Sequence, residues 1–236
     1  MASEGFTRDH RKLVCLHEAG HAVIHAIGGA NVYSVSVAPE GDDGSWIPRF
    51  RKGRPTSGSL GVCEPSEPHL PPEALKWDED KKEFVCRRDA YAHDLQSYSA
   101  SRTPAEYQSF VAEQHRQLRS HICAWLAGSL VECIHLGYRT DWQSVEERYY
   151  ENFEPEPGDD IILAKACASL LSDGPECEHA CELTAATLRR PENWHAVVRL
   201  AKKLERVGEI DEFHGLLPPR ESGWPPPPPW IQDKIQ

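Results

Sequence analysis

No stretch of this sequence is long and apolar enough to enter a membrane. The N-terminus, MASEGFTRDH, lacks the apolar core that a secretory leader needs. The longest apolar-rich stretch, Leu13 to Ile27, is interrupted by His17, Glu18, His21 and His25. No membrane span is expected, and the chain reads as cytoplasmic. Positive charge is scarce too: 26 Lys and Arg stand against 37 Asp and Glu, a formal charge of −11 at pH 7. No Lys/Arg run or basic aromatic face interrupts that trend, and such a surface repels a phosphate backbone, which argues against a nucleic-acid partner.

Paired cysteine motifs are also missing. The eight cysteines stand singly at positions 15, 63, 86, 123, 133, 167, 177 and 181. Most fall in helical patterns, which suits buried free thiols better than a disulfide framework. Cys177 and Cys181, with His179 between them, have a spacing that could hold a metal. No second pair completes a four-ligand site, so a plain helix face is the favoured reading.

What is present suffices for a core: 236 residues with 39% apolar content. A helix is expected from Thr7 to Ile27, stopped by Gly28 and Gly29. Val32 to Val37 alternates as a half-buried strand does, and Ser59 to Cys63 reads as a second strand ended by Pro65 and Pro68. Pro71 to Ser101 is charged and weakly amphipathic, and reads as helical pieces on the surface. Thr103-Pro104-Ala105-Glu106 is a capping-box start for a helix running to Gly137. Tyr138 to Gly158 reads as a polar, acidic connection. Helices follow over Ile161–Leu171, Cys177–Arg189 and Trp194–Val207. The expected fold class is mainly α (α+β), a helical domain over residues 1–217 with a small sheet beside its first helix. A Pro-rich tail, 218–236, is expected to serve as a spacer or docking peptide rather than as core.

The chemistry lies in His17-Glu18-Ala19-Gly20-His21. Two imidazoles at i and i+4 share one helix face and can reach one metal ion, with Glu18 beside them as a base for a water on that metal. The helix is otherwise apolar, so three polar groups there need a partner, and a metal supplies one. Two imidazoles and a carboxylate suit Zn2+, which lowers the pKa of its water to about 7 and polarises a carbonyl. A third protein ligand must come from elsewhere. Asp159 and Asp160, ahead of the apolar run from Ile161, are acidic residues that could equally cap a helix.

These residues resemble the peptidase domain of the FtsH family, the AAA+ zinc proteases of bacterial and organellar membranes. His17 to Val23 is similar to that family's HEAGHAV helix, and Val32 to Pro39 to the strand after it. Leu60-Gly61-Val62 resembles the family's next strand, whose edge faces extended substrate. Leu126-Ala127-Gly128, with Glu132, Ile134 and Gly137, resembles the LAGRAAEEIxxG helix, and Gly158-Asp159-Asp160-Ile161 with Ala164 resembles the GAxNDLxxAT segment. By that match Asp160 is the third zinc ligand, Asp159 stands in the family's Asn position, and Glu132 is the rival ligand. Ser129 and Cys133 replace the family's Arg and second acidic residue. Glu132 and Asp159 are thus candidates for the residues that orient the ligands.

The resemblance implies a zinc-dependent endopeptidase. No Walker motif or ATPase module accompanies the motif in this sequence, so ATP-independent cleavage of unfolded or flexible protein segments is expected. Two other readings stand beside it: a peptidase-like regulatory or adaptor protein that binds partners without turnover, and a zinc hydrolase of a small amide. The partner expected is a protein or peptide substrate, and the resemblance leaves room for a homo-oligomer.

Overall fold

The computed structural model describes residues 6–42, 45–48 and 60–232. The elements run Arg8–Gly28 (α1), Val32–Val37 (β1), Gly61–Pro65 (β2), Leu75–Asp78 (β3), Glu83–Cys86 (β4), Arg88–Ser97 (α2) and Pro104–Leu136 (α3). They continue with Trp142–Asn152 (α4), Asp160–Leu171 (α5), Glu176–Leu188 (α6), Pro191–Val207 (α7), Glu209–Ile210 (β5) and Pro229–Gln232 (α8). The fold is mainly α with two small antiparallel sheets, as expected from the sequence. Among the described residues no helix is long and apolar enough to cross a membrane. The chain divides into two compact units, Met1–Glu67 with Ala127–Tyr138 and Thr184–Ser222, and Pro68–Leu126 with Arg139–Leu183 and Gly223–Gln236.

The first unit is built around α1. Thr7 caps its N-terminus by accepting from the His10 amide at 3.3 Å. Gly29 ends it at φ 87°, where a side chain would also strike Arg220. Its apolar positions Ala19, Ala22, Val23, Ile24 and Ile27 are fully buried, because apolar residues surround the helix axis and neighbours cover it on several sides. Full burial of each large aliphatic contributes roughly 1.5–3 kcal/mol. One neighbour is the sheet β2-β1-β5, in which Val35 pairs with Cys63 and Ile210, and Val37 with Gly61. A second is α7, whose Val197, Leu200 and Leu204 are buried. The third is the end of α3, approached so closely that a Cβ on Gly20 would stand 2.7 Å from Val131 Cγ2. Arg11 fastens α1 by donating to the carbonyls of Ala38 (2.9 Å) and Glu205 (2.5 Å).

β2 begins and ends two residues later than expected, and Ser59 lies outside the described residues. Pro65 can close the strand because, among the described residues, β2 pairs only with β1 and is an edge.

The second unit departs from expectation in three places. Residues 75–86, read as surface helix, form the hairpin β3–β4, with Trp77 opposite Phe84 and their rings 5.2 Å apart. Its turn is stabilised by the Asp78 carboxylate, which accepts from the amides of Asp80 (3.1 Å) and Lys81 (3.2 Å). Residues 142–152, read as part of a polar connection, are the helix α4, capped by Asp141, which accepts from the Ser144 amide at 3.1 Å. The tail is not a detached spacer: Trp224 is buried, Arg116 donates to its carbonyl at 2.6 Å, and Trp230 meets the His179 ring edge-on. The capping box that starts α3 forms as expected: Thr103 donates its amide to Glu106 at 2.7 Å, and the Glu106 amide returns to Thr103 Oγ1 at 3.4 Å. Inside the unit, Arg119 of α3 holds Glu176 of α6 through two hydrogen bonds of 3.1 and 3.0 Å.

Candidate metal centre

His17 and His21 occupy successive turns of α1, their rings edge to face with centroids 4.6 Å apart. His21 is 4% exposed and Glu18 6%, so both face the interior of their unit, while His17 is part-exposed. Glu132, on α3, takes a hydrogen bond of 2.7 Å from His17 Nδ1. A carboxylate accepts only, so Nδ1 carries the proton and Nε2 of the neutral ring keeps its lone pair for a metal. This is the arrangement by which a carboxylate fixes the orientation and raises the basicity of a ligating histidine.

One helical turn before Glu132 stands Gly128. A Cβ there would collide with His17 Nε2 and stand 2.5 Å from His21 Nε2. Both ring nitrogens therefore converge on space that only a glycine leaves open. Gly61 has the same role on the other side of the motif, since its Cβ would lie 2.7 Å from both Cγ and Oε1 of Glu18. The edge strand β2 thus passes directly against the carboxylate. Of the three strand residues singled out in the sequence, Gly61 touches the motif, Val62 pairs with Ser36, and Leu60 is tied to Ala38 by a 2.8 Å backbone hydrogen bond while its side chain is exposed.

Asp160 is the first residue of α5, where a carboxylate is favoured by the positive end of the helix dipole. The sequence singled out Asp160 together with His17 and His21. These three residues could hold a metal ion, and they are the only such His, Cys, Asp and Glu group among the described residues. Two imidazole nitrogens and a carboxylate oxygen form a donor set that fits a borderline divalent ion such as Zn2+. Cys177, His179 and Cys181 form no such group; both cysteines are buried and neither is in a disulfide.

Asp159 is turned elsewhere. It is the N-cap residue of α5 but makes no capping hydrogen bond; its carboxylate accepts from the Tyr149 hydroxyl and from the Glu156 amide at 2.9 Å.

No family model and no curated protein matches the chain. The chemistry open to the site follows from its own groups. Cys15, the nearest thiol along α1, is no nucleophile: burial pushes its pKa up to about 11. Glu18 is a buried carboxylate beside the two histidines, a group of the kind that can accept a proton from water. Gly20 and Gly128 appeared in the sequence only as members of motifs, and Gly61 only as part of the substrate-edge strand; their close approach to the site was not foreseen. The available signal was glycine inside apolar helical runs at 20 and 128, where it costs about 1 kcal/mol relative to Ala unless close approach requires it. Tyr149 gave no signal in the sequence.

Proposed function

We propose that this protein is a zinc-dependent, ATP-independent endopeptidase that hydrolyses peptide bonds in unfolded or flexible protein segments. The observation that carries the proposal is the convergence of His17 Nε2 and His21 Nε2 on the space left by Gly128, with Glu132 behind His17 and Glu18 between the histidines and the edge strand. The similarity of residues 17–23, 126–137 and 158–164 to FtsH-family peptidase segments supports the same reading.

Zn2+ held by His17, His21 and Asp160 would supply Lewis acidity toward the scissile carbonyl and toward water. Glu132 keeps His17 in the tautomer that can ligate. Glu18 moves the proton: a carboxylate oxygen takes it from the water that attacks the carbonyl carbon, then returns it to the amide nitrogen as the C–N bond breaks. No covalent acyl-enzyme is required. A peptide in extended conformation, paired to β2, would run past Glu18 at Gly61, with main-chain hydrogen bonds giving affinity at little cost in sequence selectivity.

The test is the full chain loaded with zinc, presented with an unfolded, casein-like substrate. About one equivalent of zinc by elemental analysis is expected, lost in His21→Ala, with cleavage abolished in Glu18→Gln although the metal stays bound. Metal binding without turnover across a broad peptide library would overturn the proposal in favour of a binding protein.

A further inference from the structure

We propose that Tyr149 is a positioning residue for Asp160, acting through Asp159, and so helps set the metal affinity of the centre. The inference rests on the zinc-site reading above. Asp160 follows a connection, residues 153–159, that contains two prolines and Gly158, where a Cβ would meet nothing within 4 Å. Packing at Gly158 therefore does not hold this connection in place. What holds it is a closed set of polar contacts around Asp159. Its amide donates to the Glu156 carbonyl at 3.1 Å, and its carboxylate accepts from the Glu156 amide at 2.9 Å, so residues 156 and 159 clasp each other at both ends of one turn. The Tyr149 hydroxyl bonds the same carboxylate oxygen and ties that turn to α4.

α4 is a firm base for such a tie. Asp141 caps it, Val145 is buried, and Lys165 of α5 bonds Glu146 at 2.7 Å. The Tyr149 ring lies stacked on Phe153, with centroids 5.7 Å apart, which fixes where its hydroxyl points. One consequence marks the arrangement as more than a cap. Asp159 has the extended backbone of an N-cap residue (φ −74°, ψ 136°), yet its side chain accepts no capping hydrogen bond from the α5 amides. Ordinary capping contributes about 1 kcal/mol to a helix, and it is forgone here. The carboxylate holds the turn instead, and the turn sets the direction in which the next residue, Asp160, leaves the backbone.

Tyr149→Phe removes the hydroxyl and keeps the ring. Asp159 can then swing in to cap α5, moving Asp160. Zinc affinity, measured by competition with a chromophoric chelator on the full chain, is expected to fall about tenfold, the lower end of the cost of losing a group behind a ligand. The visible spectrum of the Co2+-saturated protein is expected to change, since Co2+ reports ligand geometry and a merely structural tyrosine would not alter it. Asp159→Ala should reproduce both effects, whereas Asp159→Asn, whose amide oxygen can still accept from Tyr149, should retain most of the affinity and the wild-type spectrum. Wild-type zinc affinity and an unchanged Co2+ spectrum in Tyr149→Phe would overturn the proposal, whatever the variant does to thermal stability. Failure of the wild type itself to take up Zn2+ or Co2+ would overturn the site reading, and this inference with it.

Discussion

At the scale of single residues, an absent side chain has as much influence as those present. Gly128 leaves open the space on which His17 Nε2 and His21 Nε2 converge, and its Cβ position is 2.5 Å from the latter. Gly128→Ala raises intrinsic helix propensity by about 1 kcal/mol while forcing a methyl group between the two rings. Zinc affinity is therefore expected to drop by roughly 100-fold or more with little loss of thermal stability in the metal-free protein, a separation that calorimetry and metal titration can read side by side. Unchanged zinc affinity would mean that the two nitrogens do not share a ligand. A second residue sets a pH response independent of the metal. His121 of α3 is 5% exposed, and burial lowers its pKa to about 4, whereas an unfolded histidine titrates near 6.5. As pH falls from about 6.5 toward 4, the unfolded chain binds a proton that the folded chain refuses, so stability declines through that window. In excess chelator, the wild type is expected to lose roughly 2 kcal/mol more than His121→Leu between pH 7 and pH 5, read from urea midpoints. Parallel curves would sink the assignment.

At the scale of elements, legibility in the sequence followed the strength of local signals. α1 and the start of α3 were readable because Thr7, Gly29 and the Thr103–Glu106 capping box are chemical punctuation that acts within a few residues. The His17–His21 pair was readable because helical geometry alone places i and i+4 on one face. The hairpin over residues 75–86 was not readable. Its turn, Asp78 to Lys82, is all charged, and Lys82 adopts the positive φ of 52° that glycine or asparagine usually signals. The short alternations of Leu75 with Trp77 and of Phe84 with Cys86 were hidden by the charges between them. α4 was missed because its buried side is a single residue, Val145, on an otherwise polar and aromatic helix. Its role comes from what it supports, a hydroxyl beneath Asp159. The Pro-rich tail misled in the opposite direction: composition pointed to an extended spacer, while one aromatic side chain, Trp224, anchors it by burial. Asp160 could be singled out only through a resemblance, because an acidic pair before an apolar run has the same pattern whether it caps a helix or holds an ion.

At the scale of the whole molecule, the question is whether the metal makes the fold or only uses it. In small zinc modules the ion replaces a core, and chelation unfolds them. Here the unit that carries His17 and His21 has its own core: Val23, Ile24 and Ile27 of α1, Val35 of β1, and Val197, Leu200 and Leu204 of α7 are all fully buried without help from the site. Chelation should therefore leave the helical circular dichroism intact. It should still lower the melting temperature, because an ion that binds only the folded chain adds a stability of RT ln(1 + [Zn]/Kd), about 2.7 kcal/mol at 100 times Kd. For a chain of this length each kcal/mol moves the midpoint by about 2–4 °C, so a fall of roughly 5–10 °C is expected on adding chelator, reversed by zinc. His21→Ala should melt near the chelated value and respond to neither reagent, because its ligand set is incomplete. Loss of helical signal on chelation would instead make the ion structural. An unaltered melting temperature in the wild type at saturating zinc would remove the metal from the folded state altogether, and the proposed catalysis with it.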